Sequence, residues 1–184
     1  MTLPETGEIR ITEAYRNYSP PLNASALVHE LLSSVPSKYL RGLSCVVLTN
    51  QSALSRRDRK GKVWSRKRKL DRSRVLGLYH GAPRRSDSSA WIELRVDKIL
   101  EGLKGASRWL PIAREVVFGH VLFHEVGHHI HTTIRPEHIE REDVADTWAR
   151  KLGANFLRKK YWYAVPVLVP MAKVYGFMRR RRWL

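Results

Sequence analysis

His124-Glu125-Val126-Gly127-His128 is the stretch that decides the reading of this chain. Two histidines four residues apart stand on one face of a helix, where both imidazoles can close on a single metal ion. The glutamate after the first histidine is then placed to take a proton from water held by that ion. Coincidence is a weak rival. With 8 histidines in 184 residues, an accidental H-E-x-x-H is expected only about 0.02 times.

The flanking sequence reads as a helix. Pro111 suits the first helical position, and Ile112, Val116, Val117, Val121 and Phe123 supply an apolar side up to about residue 132. Pro136 then ends the pattern, because proline disfavours helix in the residue before it. A second helix is predicted over 137–159, with Ala145, Trp148, Ala149, Leu152 and Phe156 at helical spacing toward the core. Upstream, Asn23 caps a helix that runs to about Ser33. Strands are predicted at 43–50, 75–79 and 90–96. In the last, Trp91 and Glu93 alternate with Ile92 and Leu94, a pattern compatible with one exposed face. Strands followed by a metal-site helix, a connection and a second helix give an α+β protein, a small mixed sheet with helices on one side.

The length suits one domain, expected over 1–160, followed by a tail over 161–184. Cys45 is the only cysteine, which excludes an intrachain disulfide and a cysteine-rich metal site. Residues 1–7 carry acids and no apolar core, so they do not form a secretory signal, and a cytoplasmic location is expected. The tail is apolar from Tyr161 to Met178, but Lys173 and two prolines interrupt it, and it is marginal for a bilayer span. Packing on the domain is the expectation for it, with interfacial membrane contact as the alternative.

Charge is the second informative feature. The chain carries 34 basic against 17 acidic residues, a net +17. Residues 56–74 alone hold eleven Lys/Arg and two Asp, and Arg179 to Arg182 form a second cluster. The segment 52–74 reads as a basic loop or insertion. Its residues Arg56, Arg57, Arg59, Lys60, Arg66, Lys67, Arg68 and Lys69 are candidates for contact with nucleic acid or another anionic surface, against the alternative of an ordinary solvated loop. No helix-turn-helix, finger or RNA-binding signature accompanies them.

Two histidines do not complete a catalytic zinc site, which normally has three protein ligands. The metzincin pattern would require glycine at 131 and histidine at 134, where the chain has His131 and Ile134. On the second predicted helix, Glu142 and Asp146 are four residues apart and share a face. With these residues the chain resembles the gluzincin metallopeptidases, whose H-E-x-x-H is followed on a later helix by E-x-x-x-D. The run Glu142-x-x-Ala145-Asp146-x-Trp148-Ala149 is most similar to the small ImmA/IrrE-type peptidases and the minimal gluzincins. The resemblance spans roughly residues 75–156 and is specific at the two motifs. It implies a zincin-like fold, a Zn2+ cofactor and hydrolysis of a peptide bond in a protein or peptide substrate. It further implies that His124, His128 and Glu142 bind zinc, Glu125 is the base, and Asp146 orients His124 by accepting its other N–H. The thirteen residues between His128 and Glu142 are few for this family.

Alternatives stand beside each assignment. His138 could be the third ligand of a three-histidine site. Asp146 could pair with Arg150 on its own helix, and the two histidines could be core residues. His120 and His131 share the stripe of His124 and His128, at the ends of the helix or lining a cleft. His129 points about 100° away and is expected to have no role. Tyr79, His80 and Tyr163 are conceivable transition-state donors. The strand over 90–96 is expected to pair with an extended substrate. A zinc-binding regulator without general protease activity, or a nucleic-acid-associated basic protein on a zincin scaffold, are the competing functions.

Overall fold

The computed structural model describes residues 9–55, 61–65, 68–71, 75–82, 89–134 and 142–163. In chain order the elements are β1 (Arg10–Ala14), α1 (Ala24–Ser33), β2 (Leu43–Thr49), β3 (Lys62–Ser65), β4 (Arg68–Asp71), β5 (Gly77–His80), β6 (Ala90–Arg95), α2 (Val96–Glu101), α3 (Pro111–Ile134) and α4 (Glu142–Lys160). The chain divides into two compact units, Met1–Gly153 and Ala154–Leu184.

The first unit is built on a four-stranded mixed sheet in the order β1-β2-β6-β5. β1, β2 and β6 run parallel, and β5 is antiparallel to β6. A parallel pair needs a crossover, which α1 supplies between β1 and β2. α1 starts where expected, the Asn23 side chain accepting the Ala26 N–H at 2.9 Å. It packs on β1 and on α3, while α3 packs on β5 and β6, so both helices cover one sheet face. Val46, Leu48, Ile92 and Leu94 from the two central strands are buried there, together with Val28 and Leu31 of α1 and Phe118 and Leu122 of α3. This is the α+β class with a small mixed sheet that the order of elements led us to expect.

Three departures from the sequence expectations concern β6 and the basic segment. The polar face of β6 is not exposed: Glu93 and Arg95 are 6% and 2% accessible. Burial is tolerated because the charges are paired. Glu93 Oε1 lies 3.7 Å from Arg95 Nε, and its Oε2 lies 3.4 Å from His80 Nε2. The His80 ring stacks on Trp91 across the β5–β6 ladder, with centroids 3.7 Å apart. Second, β6 is interior, with both sides hydrogen-bonded to neighbours, so among the described residues the sheet edges are β1 and β5. Third, within the segment read as a basic loop or insertion two short strands pair antiparallel, with Trp64 opposite Lys69 and Val63 opposite Leu70. The density of cations hid an apolar pair at strand spacing.

Of the basic candidates, Arg68 and Lys69 fall on β4, whereas Arg56, Arg57, Arg59, Lys60, Arg66 and Lys67 lie outside the described residues, as do His138 and the tail beyond Tyr163. In the second unit the last turns of α4 place Lys160 Nζ 5.7 Å from the Phe156 ring centroid and 5.9 Å from that of Tyr161. Among the described residues no helix is long and apolar enough to cross a membrane.

Candidate metal centre

The site lies between α3 and α4, and a glycine sets how closely they approach. A Cβ on Gly127 would meet Ala145 Cα and its carbonyl oxygen at 2.8 Å and Trp148 Cβ at 3.1 Å. Any side chain there would push backbone against backbone. Ala145, Ala149 and Leu152 are buried on the inner side of α4 as the periodicity predicts, and Trp148 packs against Tyr39 with ring centroids 4.9 Å apart. The same approach carries Glu142 and Asp146, on the first turns of α4, to the motif histidines.

His124 is the centre of the cluster. Its Nε2 stands 3.1 Å from His128 Nε2 and 3.3 Å from Glu142 Oε2. One donor atom from each of His124, His128 and Glu142 can be chosen so that all lie within 4.8 Å of one another. Its other nitrogen, Nδ1, stands 2.9 Å from Asp146 Oδ1. An ionised carboxylate only accepts, so Nδ1 carries the hydrogen and donates it to Asp146. In the neutral ring Nε2 is then a lone pair, facing the carboxylate of Glu142 and the second imidazole.

These residues fit a zinc ion. Tetrahedral zinc with bonds of about 2.0–2.1 Å has donor–donor edges of roughly 3.3 Å, close to the two separations from His124, 3.1 and 3.3 Å. Electrostatics agree with geometry. Burial first, and then the neighbouring His124 and His131, push the pKa of His128 from 6.5 down to about 4, with Asp146 opposing. His128 is thus neutral at pH 7, the state that ligates metal.

Glu125 is buried, at 6% accessibility, and lies on the side of α3 that faces β5. A Cβ at Gly77 would come within 2.9 Å of its Cγ and Oε1 and 2.8 Å of Val121 Cγ1. The edge strand therefore passes directly over the glutamate at a residue with no side chain, and a larger residue would displace the carboxylate.

The remaining candidates separate cleanly. Asp146 is on His124, while Arg150 hydrogen-bonds Thr147. His131 is buried and His120 is exposed. Tyr79 and His80 contact His129 and Glu93, and Tyr163 belongs to the second unit.

His129, expected to have no role, is 1% accessible. Its Nε2 donates to the Arg41 carbonyl at 2.9 Å, and its Nδ1 lies 3.2 Å from the Tyr79 hydroxyl, which donates to it. Burial lowers its pKa, so the ring holds α3 to the entry of β2 and to β5 as a neutral clamp. The signal in the sequence was the stripe Leu122, Val126, Ile130, which marks that flank of α3 as core; His129 lies on it.

Compared with known proteins, the chain matches no family model, no curated protein and no solved structure.

Proposed function

We propose that the protein is a zinc-dependent metallopeptidase of zincin-like fold and gluzincin type. The observation that carries this reading is the convergence of His124, His128 and Glu142 donor atoms within 4.8 Å, one helical position from Glu125. When bound, zinc polarises the scissile carbonyl and acidifies the attacking water.

Glu125 removes the proton of that water and delivers it to the leaving amine nitrogen, serving as base and then as acid. Asp146 keeps the hydrogen of His124 on Nδ1 and so leaves Nε2 free for the ion. His128 remains unprotonated at neutral pH for the reason given above. β5 replaces the strand over 90–96 as the one that receives substrate, since it is the sheet edge beside Glu125. An extended peptide would add to it by backbone hydrogen bonds, with Gly77 leaving room for the glutamate beneath.

The test has two readouts. Elemental mass spectrometry of purified protein should give about one zinc per chain, retained in His138→Ala and Glu125→Gln and lost in Glu142→Ala. Cleavage of an unbiased peptide library should fall on the order of 100- to 10,000-fold in Glu125→Gln. Zinc lost only in His138→Ala would move the third ligand. Undiminished cleavage by Glu125→Gln would sink the mechanism.

A further inference from the structure

Among the described residues, three large apolar side chains stand exposed close together: Trp109 is 76% accessible, Leu110 52% and Val116 45%. Scattered apolar exposure is ordinary, whereas a cluster marks a surface made for contact. This one caps the N-terminal end of α3, which begins at Pro111. At the rise of a helix, Pro111 and His124 are about 20 Å apart, so the cluster takes no part in the metal centre. The corner is held in its shape. A 3-10 turn over Gly105–Arg108 leads into it, and Leu103 before the turn and Phe118 after it are buried. The Leu110 N–H donates to the Ser107 carbonyl at 3.4 Å, and the Leu110 carbonyl accepts from Ala113 and Arg114 at 3.1 and 3.3 Å. Pro111 fixes the backbone angle where the turn becomes helix. Backbone bonds and buried anchors thus keep Trp109 and Leu110 facing solvent.

The charges around the corner show what it meets. Residues 97–116 hold the acids Asp97, Glu101 and Glu115, and each is engaged or buried. Asp97 accepts the backbone N–H groups of Gln51 and Lys98, both at 2.8 Å. Glu101 pairs with Lys98 at 2.8 Å, and Glu115 is 5% accessible. The remaining cations, Lys104, Arg108 and Arg114, have no acid at ion-pair distance among the described residues. Arg114 Nε donates to the Arg108 carbonyl at 2.6 Å, which keeps Arg114 beside the corner. An indole and a leucine at the tip, with cations behind them, match the boundary of an anionic bilayer. The apolar tip enters the headgroup region, where tryptophan is favoured, and the cations stay with the lipid phosphates. A protein partner would need a pocket for Trp109 and acids for three cations. The net charge of +17 opposes a second copy of the chain in that role.

We propose that the Trp109-Leu110 corner, backed by Lys104, Arg108 and Arg114, is a peripheral membrane contact that inserts into an anionic lipid surface. The proposal does not depend on the metallopeptidase reading. Its test is co-sedimentation of the full chain with phosphatidylcholine vesicles, with and without phosphatidylserine. Affinity for the phosphatidylserine vesicles should fall about 10- to 100-fold in Trp109→Ala. Replacing Lys104, Arg108 or Arg114 by Gln should weaken it about 5-fold each. Insertion is read separately. Phosphatidylserine vesicles with brominated acyl chains should quench part of the tryptophan fluorescence of the wild type. That part should be missing from Trp109→Phe, which keeps an apolar ring at the tip. Circular dichroism and a urea midpoint equal to wild type report that a variant is folded. Should Trp109→Ala fail this check, Leu110→Ser tests the same corner. No binding to phosphatidylserine vesicles overturns the proposal. So does binding that the tip substitutions leave unchanged, which would make it adsorption through other basic segments. Self-association of the wild type that is lost in Trp109→Ala, without lipid binding, would make a second copy the partner and overturn it as well.

Discussion

On the sheet, Glu93 lies between Arg95 and His80; between α3 and α4, His124 lies between His128, Glu142 and Asp146. Both clusters bring ionisable groups out of water, and they do so on opposite terms. In the first, an acid faces two bases, and each charge finds its counterpart within the protein. In the second, Asp146 fixes the His124 hydrogen on Nδ1, so the His124 Nε2 lone pair faces the Glu142 carboxylate and the second imidazole. A cluster of the first kind sets opposite charges against each other within the fold. On the reading proposed above, a cluster of the second kind takes a cation at its centre, and the same residue types, histidine and glutamate, then serve the fold in one place and a site in the other.

The largest expected effect breaks the sheet cluster. Arg95→Met removes the cation 3.7 Å from Glu93 and leaves the buried carboxylate with one charged neighbour fewer. Removing one member of a buried pair costs about 3–5 kcal/mol, to be read by urea denaturation, with zinc content unchanged. A variant as stable as wild type would show that Glu93 and Arg95 are not coupled. Zinc lost from a protein that is still folded would show that the two clusters are not independent.

The next effect sharpens the contrast through pH. His128 has its folded pKa lowered from 6.5 to about 4. Between those values the unfolded chain binds the proton and the native protein does not. Stability of the metal-free protein is therefore fully expressed above pH 6.5 and lost as pH falls through this window, levelling off below about 4. The loss is about 3 kcal/mol by linkage. Denaturation of chelator-treated wild type and His128→Asn across the window measures it as the difference between the two profiles. Parallel profiles would mean that His128 is not held neutral by its surroundings.

How much of this was legible in the sequence depended on how local the cause was. Pro111 and the Asn23 cap are local signals, and α3 and α1 begin where they said. β1 was missed because four of its five residues are exposed, leaving no apolar alternation to read. α2 was missed because Val96 continues the apolar run of β6 while already turning into helix. The motif histidines were legible from spacing, and Glu142 and Asp146 from a family resemblance. The passage of Gly77 over Glu125 and the seating of Gly127 on Ala145 were not. Those glycines are defined by what lies opposite them in space, and no pattern along the chain records it. Glu93 and Arg95 misled for the same reason, since polarity on an alternating strand reads as exposure until its partners are known.

The smallest effect concerns the one contact where the metal cluster adopts the terms of the sheet cluster, an acid set against an N–H donor. Asp146→Ala removes the acceptor for His124 Nδ1 and frees the ring to change tautomer and orientation. Loss of such a supporting contact lowers metal affinity about 10- to 100-fold, measurable by competition with a chelator of known affinity. Asp146→Asn keeps a carbonyl oxygen where the carboxylate accepted and discards the charge. Affinity recovered in the Asn variant would assign the role of Asp146 to orienting His124. Affinity as low as in the alanine variant would assign it to the negative charge held beside the ion. An alanine variant that binds zinc as wild type does would remove Asp146 from the site, and with it the reason for placing the His124 lone pair on Nε2. The contrast between the two clusters rests on that placement, so this modest substitution tests it more directly than the larger ones.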